Sequence, residues 1–265
     1  MTGRWLRMAV FAWVAVLVAL PVGVLFLRGL RHGPGAVWAA VTEPAAVDAI
    51  GLSLGTAAVA TVVNAVVGTA VAWVLVRWEI PGRSVLAALV DLPLAIPTLV
   101  AGVLIIALFG PQTTLGQALV EAGFPIAFAR PGIVLALLFV TLPFVVRAVE
   151  PVLQELDPAE EEAAYTLGAT PFRTFARVLL PPVLPAVAAG SVQTFARSVA
   201  EFGSLAAVSG NIPGRTLVAP VYILGEVEAG NTDGAAAVSV VLLVLALALQ
   251  PLAGTLARRA GGGRG

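Results

Sequence analysis

Three groups of residues in this chain have types and spacings that could do chemistry. In the first, Glu160, Glu161 and Glu162 follow Asp157-Pro158 and lead into Ala163, Ala164 and then Gly168. Asp157 before Pro158, with Glu160 three positions on, has the layout of a capped helix start, and carboxylates there suit the positive end of the helix dipole. Gly168 ends that helix and Thr170-Pro171 begins another in the same manner. Phe172, Phe175, Val178 and Leu179 form its apolar stripe, and it is expected to stop at Pro181-Pro182. An amphipathic connector lying on the membrane is the simpler reading, but anionic inner-leaflet lipid attracts basic segments, not acidic ones. Ala163, Ala164 and Gly168 offer little apolar area to lipid yet let another protein's backbone come close. The chemistry suggested is protein docking.

The other two groups are charges inside apolar stretches. Arg197 and Glu201 are one helical turn apart and share a face. Charges in a span cost about 2.5–3.5 kcal/mol each at its centre on insertion scales and usually face protein or a water-filled cavity. The pair could place positive potential on an anion path, or be a neutralised lock between helices. Asp91 sits just before Pro93, with Pro97 to follow. A helix break there could free backbone groups to line a cavity; the alternative is a cap near the cytoplasmic interface. Asn64 is expected to bridge helices.

Composition removes most other chemistry. Of 265 residues, 59% are hydrophobic and 11% charged, with a mean hydropathy of +0.99; soluble domains carry about 25% charged residues. Lipid is the natural solvent for such a chain. Cysteine and lysine are absent and histidine occurs once, as His32. That excludes disulfides, thiolate chemistry, a histidine-rich metal site and a Walker A lysine on this chain. Zero net charge removes the electrostatic case for nucleic acid. No catalytic or metal-ligating residues are assigned.

The elements that must hold these residues are membrane helices. About six spans are expected, at Met8–Leu27, Ile50–Val76, Ser84–Phe109, Gly132–Val149, Val183–Phe202 and Ala235–Leu256. The first, bracketed by arginines, is too long for a signal peptide and is read as retained. Prolines 93 and 97 should break or kink the third span, and Pro143 and Arg147 interrupt the fourth. With the N-terminus inside, Arg4, Arg7, Arg77, Arg83, Arg147, Arg173, Arg177, Arg258, Arg259 and Arg264 are cytoplasmic. Only Arg28, Arg31, Arg130 and Arg215 lie opposite. Both termini are therefore expected in the cytoplasm. Three parts follow: 1–49 (tail, first span and outer loop), 50–256 (core, with the cytoplasmic loop at 150–182), and 257–265 (C-terminal tail).

The loop spacing is specific. Glu162-Ala163-Ala164, then Gly168, then Val178, Leu180 and Pro181 resembles the EAA motif of importer-type ABC permeases, and every position of that motif is met. The resemblance implies an all-α integral membrane protein with the type I ABC importer permease fold. It also implies that Glu162, Ala163, Ala164, Gly168, Leu180 and Pro181 belong to a coupling loop docking on a separate ATPase. Asp91-Leu92-Pro93 with Pro97-Thr98, Pro143 through Arg147, Phe195 through Gly203, and Gly210-Asn211-Ile212 with Thr216 are similar to the sulfate/thiosulfate permease family. The T-type subunit is the better match. The likeness runs from about Ile50 to Leu256.

What that implies is a non-enzymatic transport subunit of the bacterial inner membrane, forming half of a pore. ATP and Mg would be bound by the partner ATPase dimer, with no cofactor on this chain. The other implied partners are a homologous W-type permease, an extracytoplasmic oxyanion-binding protein and membrane lipid. A molybdate/tungstate permease shares the coupling loop and the Arg197 to Gly203 stretch, so it stays open as an alternative. From a different class, so does an ion-gradient-driven secondary transporter. The outer loop from Glu226 to Gly234 is acidic and departs from the family pattern, which bears on docking of a binding protein.

Overall fold

The computed structural model describes residues 2–79 and 81–261. Among them the regular elements are helical. The first span is α1 (Thr2–Val14), a π-helical segment (Ala15–Ala19) and α2 (Leu20–Gly29). After the short α3 (Pro34–Val41), α4 (Pro44–Arg77) runs unbroken for 34 residues. Then come α5 (Arg83–Ala95), α6 (Thr98–Phe109), α7 (Thr114–Glu121) and α8 (Arg130–Glu155). The acidic segment forms α9 (Pro158–Thr166). Next, α10 (Pro171–Thr174), a second π-helical segment (Phe175–Leu179) and α11 (Leu180–Val199) make one continuous rod. The chain closes with α12 (Gly203–Val208), α13 (Ala219–Glu228) and α14 (Thr232–Gly261).

Four of these rods are long and apolar enough to cross a bilayer: Arg4–Gly29, Pro44–Arg77, Arg130–Glu155 and Pro171–Val199. The pair α5–α6 is a fifth, bent by 113° at its break. The long α14 supplies the last, with an apolar stretch at Thr232–Ala248. Among the described residues, four spans or five with the bent pair are thus long and apolar enough to cross; the expected six is approximate, since the apolar stretch of α14 is shorter. Of the tail expected at 257–265, the helix takes in residues up to Gly261, and 262–265 lie outside the described residues.

The prolines act only in part where local propensity places their effect. Only the third span breaks, and it breaks at Pro97: Ile96 is extended, as a residue before proline prefers, and Pro97 caps α6. Pro93 stays inside α5, and α8 runs straight through Pro143 and Pro151. The expected stop at Pro181-Pro182 is also absent. There the Leu180 N–H donates to the Phe175 carbonyl, five residues back. Such a widened turn relieves the clash between a proline ring and the carbonyl four residues earlier. The first span repeats the device: Leu20 donates to Ala15 just before Pro21.

The core is built from α4, α8 and α11. Val145, Val146, Val149 and Leu153 of α8 pack with Ala72 and Leu75 of α4 and Val183 and Ala186 of α11, all buried. Small residues allow the close approach: a Cβ on Gly68 would lie 2.9 Å from the Val145 Cβ, and one on Gly190 2.9 Å from the Val145 Cα. Asn64 fastens the same contact, donating to the Leu138 carbonyl (3.1 Å) and Thr141 Oγ1 (2.9 Å). At the end of the bundle remote from α9, Tyr222 Oη donates to Glu43 Oε2 (3.0 Å) and the Ala219 N–H donates to Ser53 Oγ (2.8 Å). Burial and that hydrogen bond push the Tyr222 phenol above its ordinary value, so it stays a donor.

Candidate functional site: the acidic loop and the intramembrane charges

The acidic loop forms as its sequence directs. Asp157 Oδ1 accepts from the Ala159 N–H (2.9 Å), so the cap bonds the second helical position. Gly168 then takes φ +81°, a left-handed turn open only to residues like glycine, with the Gly168 N–H donating to the Tyr165 carbonyl. Thr170 Oγ1 accepts weakly from the Arg173 N–H (3.4 Å) to start α10. Glu162 and Ala163 are exposed, Ala164 is half-buried, and Leu180 and Pro181 open α11.

Around Gly168 the loop bares large apolar groups: Leu167 is 87% exposed and Phe172 77%, with Tyr165 beside them. Phe172 therefore leaves the inward stripe expected for its helix, while Leu179 is buried and Phe175 packs inward. A tight turn with bare apolar side chains and flanking carboxylates suits a protein groove.

Arg197 and Glu201 do pair, but not along one helix. The rod α11 ends at Val199, so the expected span to Phe202 is shortened, and Glu201 sits in the break before α12. Its carboxylate is fully buried. Oε2 lies 2.6 Å from Arg197 Nη1, and Oε1 accepts from both the N–H and the Oγ of Ser204 (each 2.9 Å). Glu201 thus neutralises Arg197 and caps α12 in one arrangement, which is the geometry of a helix lock. Arg197 keeps a side chain 33% exposed. The turn between α11 and α12 is pressed against the bent third span, since a Cβ on Gly203 would lie 2.9 Å from the Leu99 N–H nitrogen and overlap Thr98 Oγ1.

Asp91 is neither a free cavity group nor a cap. It lies inside α5, where Arg147 of α8 takes it with two donors: Nε to Oδ1 at 2.8 Å, and Nη2 to Oδ2. Nη1 of the same guanidinium donates to Glu150 Oε2. Arg147 also faces a cleft of about 530 Å³ between α8 and α11, shared with Pro143, Glu155 and Gln193. The structure therefore holds two separate ion pairs, Asp91–Arg147 and Arg197–Glu201, and does not unite them. Arg147 is the partner that local reading missed; a lone cation in one span and a lone anion in another is the signal that could have joined them.

A helical bundle with several apolar spans, one of them bent, and an exposed acidic loop at one end is the architecture of a multi-pass membrane protein. Residues 64–261 match the family described as the binding-protein-dependent transport system inner membrane component. The chain belongs to that family. It is 42% identical over 249 residues to the probable sulfate transport system permease protein of Nephroselmis olivacea, covering 92% of this chain and 88% of that one. To the sulfate transport system permease protein of Escherichia coli it is 38% identical over 249 residues, covering 94% and 90%. Among solved structures, a bacterial alginate ABC transporter matches with a TM-score of 0.79 at 18% identity, covering 97% of this chain and 94% of that one. A methionine ABC transporter matches at 0.60 and 22%, covering 81% and 95%. The fold is thus the type I ABC importer permease fold, and the chain is a transport subunit, not an enzyme.

Proposed function

We propose that this chain is the T-type permease subunit of an ATP-driven sulfate importer, forming half of a pore beside a homologous W-type subunit. One observation carries the reading: likeness at 38–42% identity, over about nine tenths of the chain, to proteins named as sulfate permeases. The molybdate and ion-gradient alternatives have no such support.

In this reading α9 and the Gly168 turn dock on the ATPase, with Leu167 and Phe172 in its groove and Glu162 at the rim. ATP and Mg act there, on the partner, and this chain holds no cofactor. A binding protein delivers the oxyanion at the opposite end, where the 210–216 loop is braced by Asn211 Nδ2 on the Ala206 carbonyl (3.0 Å) and by Thr216 Oγ1 on the Ile212 N–H (3.1 Å). Both termini lie in the cytoplasm, and the exposed Trp5, Phe11 and Trp13 of the first span face lipid. Because the cations Arg147 and Arg197 are each paired with a carboxylate, the path binds a dianion weakly, as a passage must if its substrate is to leave.

The test is to purify the assembled complex in mild detergent and measure ATP hydrolysis with the binding protein loaded with sulfate, thiosulfate, molybdate or tungstate. Stimulation by sulfate or thiosulfate is expected. Stimulation by molybdate alone, or substrate accumulation by this chain alone under an ion gradient, would overturn the proposal.

A further inference from the structure

The acidic helix α9 buries none of its own residues, yet it is not loose. Glu161, the residue before the motif's glutamate, lies 2.7 Å from Arg77 Nε, and both side chains are only 15% exposed. Arg77 is the last residue of α4. Its Nη2 donates to the carbonyl of Leu156 (3.0 Å), the residue that ends α8. One guanidinium thus holds both the exit of α8 and the body of α9.

One turn earlier on α4, Trp73 stacks on Phe175 with ring centroids 4.8 Å apart and planes at 29°. Phe175 opens the π-helical segment where the chain re-enters the bundle. The end of α4 therefore grips the loop on its way out and on its way back. The remote end of the same unbroken helix is tied to α13, through Glu43 to Tyr222 and Ser53 to Ala219.

We infer that Arg77 and Trp73 are the transmission contact of this permease: motion of α9 is passed to α4 through the Glu161–Arg77–Leu156 latch and the Trp73–Phe175 stack. The inference rests on the docking of α9 proposed above. Arginine is required because its planar fork reaches a carboxylate and a carbonyl together, which a lysine cannot do in the same geometry. The widened turn at Phe175–Leu179 is the compliant joint on the returning arm, since π-helical bulges are where helices bend. Arg77 and Glu161 are positioning residues and touch no substrate.

The test uses the whole transporter, with both permeases, the ATPase and the binding protein, in proteoliposomes. It measures sulfate moved per ATP hydrolysed in R77A, E161Q and the reversal R77E/E161R. E161Q lies on a helix with no buried residue, so it reports even where R77A fails to insert. R77A and E161Q should retain the ATPase on purification and keep hydrolysing ATP, while sulfate moved per ATP falls by about fivefold or more. The reversal should recover part of that loss. A wild-type ratio in E161Q would overturn the inference, as would release of the ATPase by E161Q, because the latch would then only shape the dock. Leu167→Asp is the separate control: if it leaves the ATPase bound, the docking reading fails and the inference falls with it.

Discussion

Gly102 of α6 lies so close to Ser204 of α12 that a Cβ on it would sit 2.5 Å from the Ser204 carbonyl oxygen. The second half of the bent span and the short helix that follows α11 are therefore in backbone contact, and Gly203 against Thr98 repeats the relationship one step away. Contacts of this kind exist in membranes because lipid competes poorly with a well-packed helix pair, so shape complementarity decides association.

Gly102→Ala should consequently destabilise the permease. Forcing a methyl group against backbone costs about 1–3 kcal/mol in packed interiors. A lower midpoint of thermal unfolding in detergent is expected, whereas Gly225→Ala, with open space at its Cβ, should leave the midpoint unchanged.

Arg197→Ala should be more harmful than its half-exposed side chain suggests. It leaves the Glu201 carboxylate fully buried without its cation, and stranding a buried charge costs about 3–5 kcal/mol. The expected outcome is a fall in the amount of folded protein in membranes. Adding Glu201→Gln, which keeps an acceptor for Ser204, should restore protein level. A single variant with normal level and selectively reduced sulfate flux would instead favour the anion-path role.

Asp91→Asn should be milder. Arg147 retains Glu150 as its counter-ion, so no cation is stranded when the Asp91 charge is removed. A loss of about 1 kcal/mol or less is expected, read as a small shift in unfolding midpoint.

Gly168→Asp should abolish uptake with membrane insertion intact. The turn's φ of +81° strains any side chain, and nothing lies within 4 Å of a Cβ there, so the added carboxylate projects from the face proposed above to dock. Gly168→Asn, which tolerates the left-handed region better, should retain more ATPase on co-purification than Gly168→Asp.

Much of the acidic loop was legible because its determinants are local. A capping Asp157 before Pro158, a glycine that must turn left-handed and a threonine cap before Pro171 act within a few residues, so spacing alone specifies them. Proline was misleading for the opposite reason. Pro143, Pro151 and Pro181 carry the same local penalty as Pro97, yet only Pro97 breaks its span. Neighbouring helices and a widened turn absorb the others.

From the amino-acid order alone follow the lipid solvent, the helical class, the caps and turn of the acidic loop and the adjacency of Arg197 and Glu201. Each depends on composition or on residues within one turn. Only the tertiary structure decided that Arg147 is the partner of Asp91, that Arg77 latches Glu161, that Glu201 caps a new helix instead of extending the old one, and that the bent span meets α12 at glycines. The two ion pairs and the glycine contacts join residues far apart in the chain. They are selected by which helices can approach closely enough to neutralise a charge in apolar surroundings, and that is a property of the packed bundle.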